Sequence, residues 1–169
     1  MEISKTKLEG VLVIKPPTIF EDFRGTYVEI YNQDLYNEAG IKAKFIQDDI
    51  STSANHVLRG IHGDQETWKL ISCLYGKFYL VVVNWDETSL QYRQWESFVL
   101  SDHNHLQVLV PPKFGNGHLV LSDKAIFHYK QSTSYNRDSQ FTIFWNDPEL
   151  NIWWPVKNPI LSQRDKGVE

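Results

Sequence analysis

The chain has 169 residues, 41% hydrophobic and 22% charged, which is the composition of a globular protein with a packed core and not of a disordered one. The net charge of −4, without a run of Lys or Arg, argues against nucleic acid as a partner. Cys73 is the single cysteine, so no internal disulfide can form, and the apolar run Val11 to Ile14 is too short for a signal peptide or a membrane span. We therefore expect one domain over residues 1–169, in the cytoplasm and not in a membrane, with Cys73 in its core.

Short strand-like segments recur along the chain and are separated by turn residues. They read, in order, GVLVIKP, TYVEIY, KFIQDDIS, KLISCLYG, KFYLVVVNW, ESFVLS, LQVLVPP, HLVLSD, AIFHYKQ and QFTIFWN. Only NQDLYNEAG (32–40) predicts a helix, with Asn32 or Asp34 as its N-cap and Gly40 just past its end. The tail after residue 144 predicts turns with at most one short helix. About ten strands with hardly any helix predict an all-β protein, an antiparallel sandwich or barrel of the jelly-roll kind.

The segment NHVLRGIHGDQETWKL (55–70) holds an unusual density of functional groups, and several interpretations are open. A metal site would combine His62 with Asp64, Glu66 and His118 on a later strand, because imidazole and carboxylate suit transition metals. A purely structural role is another interpretation, since a histidine in a strand is commonly only hydrogen-bonded. Composition and spacing alone support no more than a β-barrel with a polar pocket.

An acid–base site is a further interpretation of segment 55–70. His62 can serve as a general base near neutral pH, and Lys69 or Arg59 can stabilise negative charge on a substrate oxygen. Tyr129 can return a proton from another strand. Such a set could epimerise a carbon next to a carbonyl without a cofactor.

The strand period complicates this arrangement. Strict alternation puts Leu58, Gly60 and His62 on one face and Arg59 on the other. Both Arg59 and His62 could reach one pocket only if a bulge forms at Gly60. The sequence therefore predicts a bulge here if the two residues act together.

Five ordered blocks carry a resemblance to a known family over most of the chain, from about Val11 to Asp165. They are FEDFRGTYVEIYN, IQDDISTSANHVLRGIHGD, VPPKFGNGHLVLSD, FHYKQSTSY and FWNDPELNIWWPVKNPILSQRD. Together they resemble the sugar-nucleotide epimerases of the dTDP-4-dehydrorhamnose 3,5-epimerase family, within the cupin superfamily. The resemblance implies a cupin-type jelly roll and a cofactor-independent epimerase of a nucleotide-diphosphate 4-keto-6-deoxy sugar. Such an enzyme would act in deoxysugar biosynthesis, for surface glycans or glycosylated products.

The resemblance also implies roles for particular residues. His62 would be the general base, oriented by Asp165 of the LSQRD motif, with Lys69 stabilising the enolate and Tyr129 as the general acid. The implied substrate-binding positions are Phe20, Arg24, Glu29, Gln47, Arg59, Asn116, His118 and Tyr135. The family further implies a homodimer in which the N-terminal region, with Arg24 and Glu29, reaches the neighbour's site. No metal and no cofactor are implied.

Departures from the family pattern surround the expected sugar pocket. Gly63 and Asp64 follow the base His62 where many relatives have an aromatic residue and Gln, and the loop before Lys69 is shorter. Asn116 stands where relatives have a histidine, and His118 appears two residues later. These features resemble a subgroup acting on GDP-linked 4-keto-6-deoxy-heptoses, and they leave open whether C3, C5 or both invert. A related keto-sugar isomerase, a metal-dependent cupin oxygenase and a non-catalytic sugar-nucleotide-binding cupin remain alternatives.

Overall fold

Antiparallel strands make up most of the regular structure in the computed structural model, which describes residues 1–168. The strands are β1 (Glu2–Lys5), β2 (Leu12–Lys15), β3 (Ile19–Asp22), β4 (Gly25–Val28), β5 (Gln47–Ala54), β6 (Leu58–Gly63), β7 (Lys69–Tyr75), β8 (Lys77–Asn84), β9 (Trp95–Ser101), β10 (Gln107–Val110), β11 (Phe114–Val120), β12 (Lys124–Gln131) and β13 (Phe141–Thr142). The helix α1 spans Gln33–Glu38, and a single 3₁₀ turn spans Arg137–Ser139.

Two sheets face each other. One has the strand order β1-β2-β10-β7-β12-β5 and the other has the order β13-β6-β11-β8-β9, while β3 and β4 form a separate hairpin. Neighbouring strands that are far apart in sequence, such as β2 beside β10, reflect the crossing connections of a jelly roll. The predicted all-β jelly roll is confirmed.

The space between the sheets is filled by the inward faces of their strands. Phe78, Leu80 and Val82 of β8 meet Phe127 of β12 in one buried cluster, and Cys73 lies in the same cluster, as expected. Tyr129 packs at the edge of this cluster. Apolar side chains therefore fill one end of the space between the sheets, and polar side chains lie next to them.

The C-terminal tail covers the back of the five-stranded sheet. Trp154 and Leu150 are buried there against residues of β6 and β8, and the indole N–H of Trp154 donates to the carbonyl of Trp145 over 2.8 Å. Ile160 then pairs in parallel with Val57, just before β6 begins. This pairing brings the end of the tail beside β6.

The ten predicted strands and the predicted helix are present with shifted ends, and β1, β3 and β6 are additional to the ten predicted segments. Asn32 caps α1, because its side chain accepts from the backbone N–H groups of Asp34 and Leu35. The expected strand QFTIFWN is reduced to β13. Further along, the chain turns at Asp147, whose side chain accepts from the N–H of Glu149 over 2.8 Å. The tail contains turns and no helix among its described residues. Among residues 1–168, no helix has the length and apolar character needed to span a membrane.

Candidate active site

A β-bulge in β6 brings the cluster in segment 55–70 to one side of its strand. Arg59 lies opposite His118 on β11, and His62 lies opposite Asn116, so two residues of β6 face only Gly117. The extra residue cancels the alternation between the two positions, and both side chains line one cavity. The bulge predicted from Gly60 is thus present.

Gly60 is required at this bulge for two reasons. Its φ of +118° is a conformation that residues with a side chain rarely adopt. A Cβ atom at this position would also lie 2.5 Å from the Cα of Gly117 and 2.7 Å from the carbonyl oxygen of Asn116. The strands β6 and β11 can therefore approach this closely only with glycine at the bulge.

The cavity lies between the two sheets and has a volume of about 330 Å³. Seven of the predicted site residues line it together: Arg59, His62, Lys69, Asn116, His118, Tyr129 and Tyr135. Six further residues complete the lining: Asp49, Ile50, Ser51, Gly60, Phe127 and Gln140.

His62 and Asp165 form a close pair at the wall of the cavity. Nε2 of His62 lies 2.8 Å from Oδ1 of Asp165, whose side chain is only 3% exposed. Burial alone would raise the pKa of Asp165, but hydrogen bonds and charge from His62, with Ser162 and the backbone of Gly60, hold that pKa below its usual value. The carboxylate therefore stays ionised. With Nε2 directed at Asp165, Nδ1 is the ring nitrogen left to accept a proton.

Lys69 enters the cavity from β7 as a nearly buried cation, with 6% of the residue exposed. Its Nζ donates to Oδ1 of Asn116 over 3.3 Å. Burial lowers the pKa of Lys69, Asp64 opposes this shift and Arg164 adds to it. A desolvated ammonium with a neutral partner is suited to stabilise an anionic oxygen of a ligand.

Tyr129 reaches the cavity from β12, on the sheet opposite His62. Burial, with the negative charge of Asp49 and the neighbouring Tyr135, raises the pKa of Tyr129 to about 12. The phenol is therefore protonated at neutral pH and can donate a proton. A base on one sheet and an acid on the other can act on opposite faces of a flat ligand between them.

His118 forms part of the cavity floor. Its ring stacks on Phe127 with centroids 4.0 Å apart and planes 6° apart. Burial, reinforced by the charge of Arg59 and opposed by Asp165, lowers the pKa of His118 to about 3, so this imidazole is neutral. Arg59 itself is exposed at the mouth of the cavity, where its Nε donates to Ser53 over 2.9 Å.

The remaining predicted residues lie outside the cavity lining. Gln47 sits beside it, where its side chain accepts from the backbone N–H of Tyr135 over 2.9 Å. Phe20 and Arg24 belong to the β3–β4 hairpin and its turn, with Arg24 paired to Asp22 at 2.6 Å. Glu29 follows this hairpin and accepts from Thr18 over 3.4 Å. Within one subunit the structure does not bring these three residues to the cavity.

Sequence reasoning missed two charged groups near the cavity. Asp49 lines it from β5, directly opposite Tyr129. Arg164, next to Asp165, donates to Gln140 over 3.3 Å and to Thr142 over 3.2 Å. Alternation in QDDIS puts Asp49 on one face of its strand, but only the register with β12 shows that this face lines the cavity, and no pattern in the sequence located Arg164.

Of the two carboxylates that suggested a metal site, that of Asp64 is engaged in a turn. Oδ1 of Asp64 accepts from the N–H groups of Glu66 and Thr67, over 3.0 and 2.7 Å. Within residues 1–168, no three side chains of His, Cys, Asp or Glu lie close enough together to hold a metal ion.

Comparisons with known proteins agree with this arrangement. The family model for dTDP-4-dehydrorhamnose 3,5-epimerase matches residues 5–169. A dTDP-4-dehydrorhamnose 3,5-epimerase of Shigella flexneri is 38% identical over 98% of this chain and 93% of that protein. A dTDP-4-dehydrorhamnose 3-epimerase of Streptomyces niveus is 32% identical over 99% of this chain and 83% of its own length. The crystal structure of a dTDP-6-deoxy-D-glucose-3,5-epimerase from Legionella pneumophila, in complex with dTDP-4-keto-L-rhamnose, superposes with a TM-score of 0.93 at 36% identity, covering 98% of this chain and 90% of that one.

A jelly-roll barrel with a histidine–aspartate pair, a buried lysine and a protonated tyrosine around one cavity is an arrangement suited to acid–base chemistry, as in a cupin-type isomerase. The matches with known proteins narrow this class of enzyme to one family. The chain belongs to the dTDP-4-dehydrorhamnose 3,5-epimerase family.

Proposed function

We propose that the protein epimerises a dTDP-linked 4-keto-6-deoxy sugar next to its C4 ketone. The observation that carries this proposal is the placement of His62, paired with Asp165, across one cavity from Tyr129, with Lys69 between the sheets. The relatives that support the nucleotide are named for dTDP-linked substrates. A metal-dependent oxygenase or a pure binding module would not need this set of groups.

In the proposed reaction, Nδ1 of His62 takes a proton from the carbon next to the ketone. The electrons of the broken C–H bond form a C=C bond, and those of the carbonyl move to its oxygen, which the ammonium of Lys69 stabilises. Tyr129 or water then returns a proton to the same carbon from the opposite face, and the carbonyl is restored. Atoms and electrons balance without a redox partner, so the step requires no cofactor.

Asp165 keeps the imidazole of His62 oriented and stabilises its protonated form during the step. Arg59 at the cavity mouth would bind the diphosphate, and the side chain of Gln47 accepts from the backbone N–H of Tyr135 beside the cavity. Asn116 and His118 line the part of the cavity assigned to the sugar. Phe20, Arg24 and Glu29 would complete the nucleotide site from the partner subunit of a homodimer, located in the cytoplasm.

One experiment tests both the nucleotide of the substrate and which sugar carbons are inverted. The protein is incubated in deuterated water with dTDP-4-keto-6-deoxy-D-glucose or with a GDP-linked 4-keto-6-deoxy-heptose, and deuterium is located in the product by NMR. We expect deuterium at C3 and C5 of the dTDP-linked sugar. Deuterium at C3 alone would assign a 3-epimerase, and faster exchange of the GDP-linked heptose would assign that subgroup. No exchange with either substrate would contradict the proposal.

A further inference from the structure

Asp49 and Tyr129 are direct cross-strand neighbours on the cavity face of the larger sheet. They lie opposite each other in the antiparallel pair of β5 and β12, and both line the cavity. Directly opposite residues have Cβ atoms about 5 Å apart, so their side chains share one environment. A fixed charge on one is therefore felt by the other.

The carboxylate of Asp49 is held in place by two amides. Its Oδ2 accepts from Nε2 of Gln47 and from Nε2 of Gln131, both over 2.8 Å. Gln131 is 2% exposed, so protein atoms enclose its amide. Asp49 is also the one acidic side chain among the residues that line the cavity. Its position is thus set by the protein itself.

The phenol of Tyr129, by contrast, is left available. Within the described residues its hydroxyl has no hydrogen-bond partner, and the groups facing it can carry positive charge. Besides Asp49, the ionisable groups that line the cavity are Arg59 and His62 on β6, Lys69 on β7, His118 on β11 and Tyr135 after β12. Asp165 pairs with His62 at the cavity wall, and Arg164 lies near enough to affect Lys69. Arg59 and Lys69 bring positive charge, and His62 adds more when it takes a proton. Cations favour the phenolate, and a phenolate has no proton to give.

We propose that Asp49 is a positioning residue that acts through Tyr129, opposing the surrounding cations so that the phenol keeps its proton until the sugar carbon takes it. The inference rests on the proposed role of Tyr129 as the acid. The electrostatics agree with the geometry, because burial comes first and Asp49 second among the causes that raise the pKa of Tyr129. Asp49 itself needs no contact with the substrate for this role.

The test is a titration of one tyrosine, which does not depend on catalysis. Ultraviolet absorbance of tyrosinate is followed from pH 8 to 12.5, beyond the pKa of about 12 in the wild type, in the wild type and in Tyr129→Phe, and their difference isolates Tyr129. The same difference is measured between Asp49→Asn and Asp49→Asn/Tyr129→Phe. Asn has the same shape and can accept the same two amide hydrogen bonds, so only the charge is removed. We expect Tyr129 to ionise about one pH unit lower in Asp49→Asn.

Asp123→Asn is the matched control, because Asp123 is exposed and lies outside the cavity lining. It changes the net charge equally and should leave the titration of Tyr129 unshifted. Asp49→Ser removes the same charge and gives a second measurement should the Asn variant not fold. Ionisation of Tyr129 at the wild-type pH in the Asp49 variants, or an equal shift in Asp123→Asn, would overturn the proposal.

Activity separates this proposal from the proposed function. Loss of turnover in Tyr129→Phe with an unshifted titration in Asp49→Asn would leave the acid role intact and remove the role of Asp49. Full turnover in Tyr129→Phe would remove the acid role itself. In the expected case, the alkaline limb of the rate–pH profile moves down with the titration in Asp49→Asn.

Discussion

The burial of Lys69 costs free energy in the protein without ligand, and the proposed reaction would use the buried charge. The ammonium of Lys69 is nearly buried, and within residues 1–168 its Nζ hydrogen-bonds only to the neutral amide of Asn116. Burying a charge without an ion-pair partner in contact costs several kcal/mol in the free protein, and the more distant Asp64 offsets only part of this cost. An enolate oxygen next to Lys69 would supply the missing negative charge, so the cost is offset in the transition state.

Replacing Lys69 with Met tests this account. The variant keeps the length of the side chain and removes the charge, so we expect turnover to fall about 100-fold or more. The free energy of unfolding should be unchanged or higher, because a buried charge is replaced by an apolar group. Lys77→Met, at an exposed position, is the control and should keep full activity. Retained turnover in Lys69→Met would exclude the lysine from the chemistry.

At this scale the sequence predicted the chemical groups and not their surroundings. The resemblance pointed to His62, Lys69, Tyr129 and Asp165, but not to the burial of Lys69. Asp49 was missed because alternation assigns residues to two faces without saying which face is inside. That choice depends on the pairing of β5 with β12, which is a tertiary contact.

The bulge in β6 is the element on which the site depends. It turns Arg59 and His62 toward one cavity, and it requires glycine at position 60. The conflict between strict alternation and a shared pocket predicted this bulge from the sequence. The tail was less predictable, because the pairing of Ile160 with Val57 that brings Asp165 to His62 leaves no local pattern.

Gly60 and Gly25 offer a matched pair of substitutions to Ala. Both glycines have a φ of +118°, but a Cβ at Gly25 meets nothing within 4 Å, whereas one at Gly60 meets the backbone of β11. We expect Gly25→Ala to cost about 1 kcal/mol of unfolding free energy, the cost of the backbone conformation alone. Gly60→Ala should cost at least ~2 kcal/mol more, because β6 and β11 must separate. Denaturant unfolding measures both, and equal costs would show that close packing at the bulge is unimportant.

On the scale of the whole molecule, the β3–β4 hairpin leaves aromatic side chains uncovered within a single chain. Phe20, Phe23 and Tyr27 are 67%, 99% and 63% exposed, and this hairpin carries the predicted nucleotide-binding residues away from the cavity of its own chain. Exposed aromatic side chains on a hairpin are typical of a surface that another chain covers. A homodimer with crossing hairpins would bury them and complete each site.

Mixed dimers test the crossing. Arg24→Ala and His62→Asn are each expected to be inactive alone, and they are dissociated and reassociated together. If the hairpin crosses, half of the dimers regain one site that has both Arg24 and His62, so about a quarter of wild-type activity returns. If each hairpin serves its own subunit, the mixture stays as inactive as its parents. Light scattering on the mixture confirms that dimers have formed.

The central claim is that His62 removes the proton next to the C4 ketone. The most direct measurement is deuterium uptake at C3 and C5 of the sugar in deuterated water, resolved by NMR and compared between the wild type and His62→Asn. Asn keeps a polar group of similar size but cannot accept the proton. The account predicts uptake in the wild type and at least a ~1,000-fold slower uptake in folded His62→Asn, with ligand binding retained. Uptake at the wild-type rate in His62→Asn would contradict it.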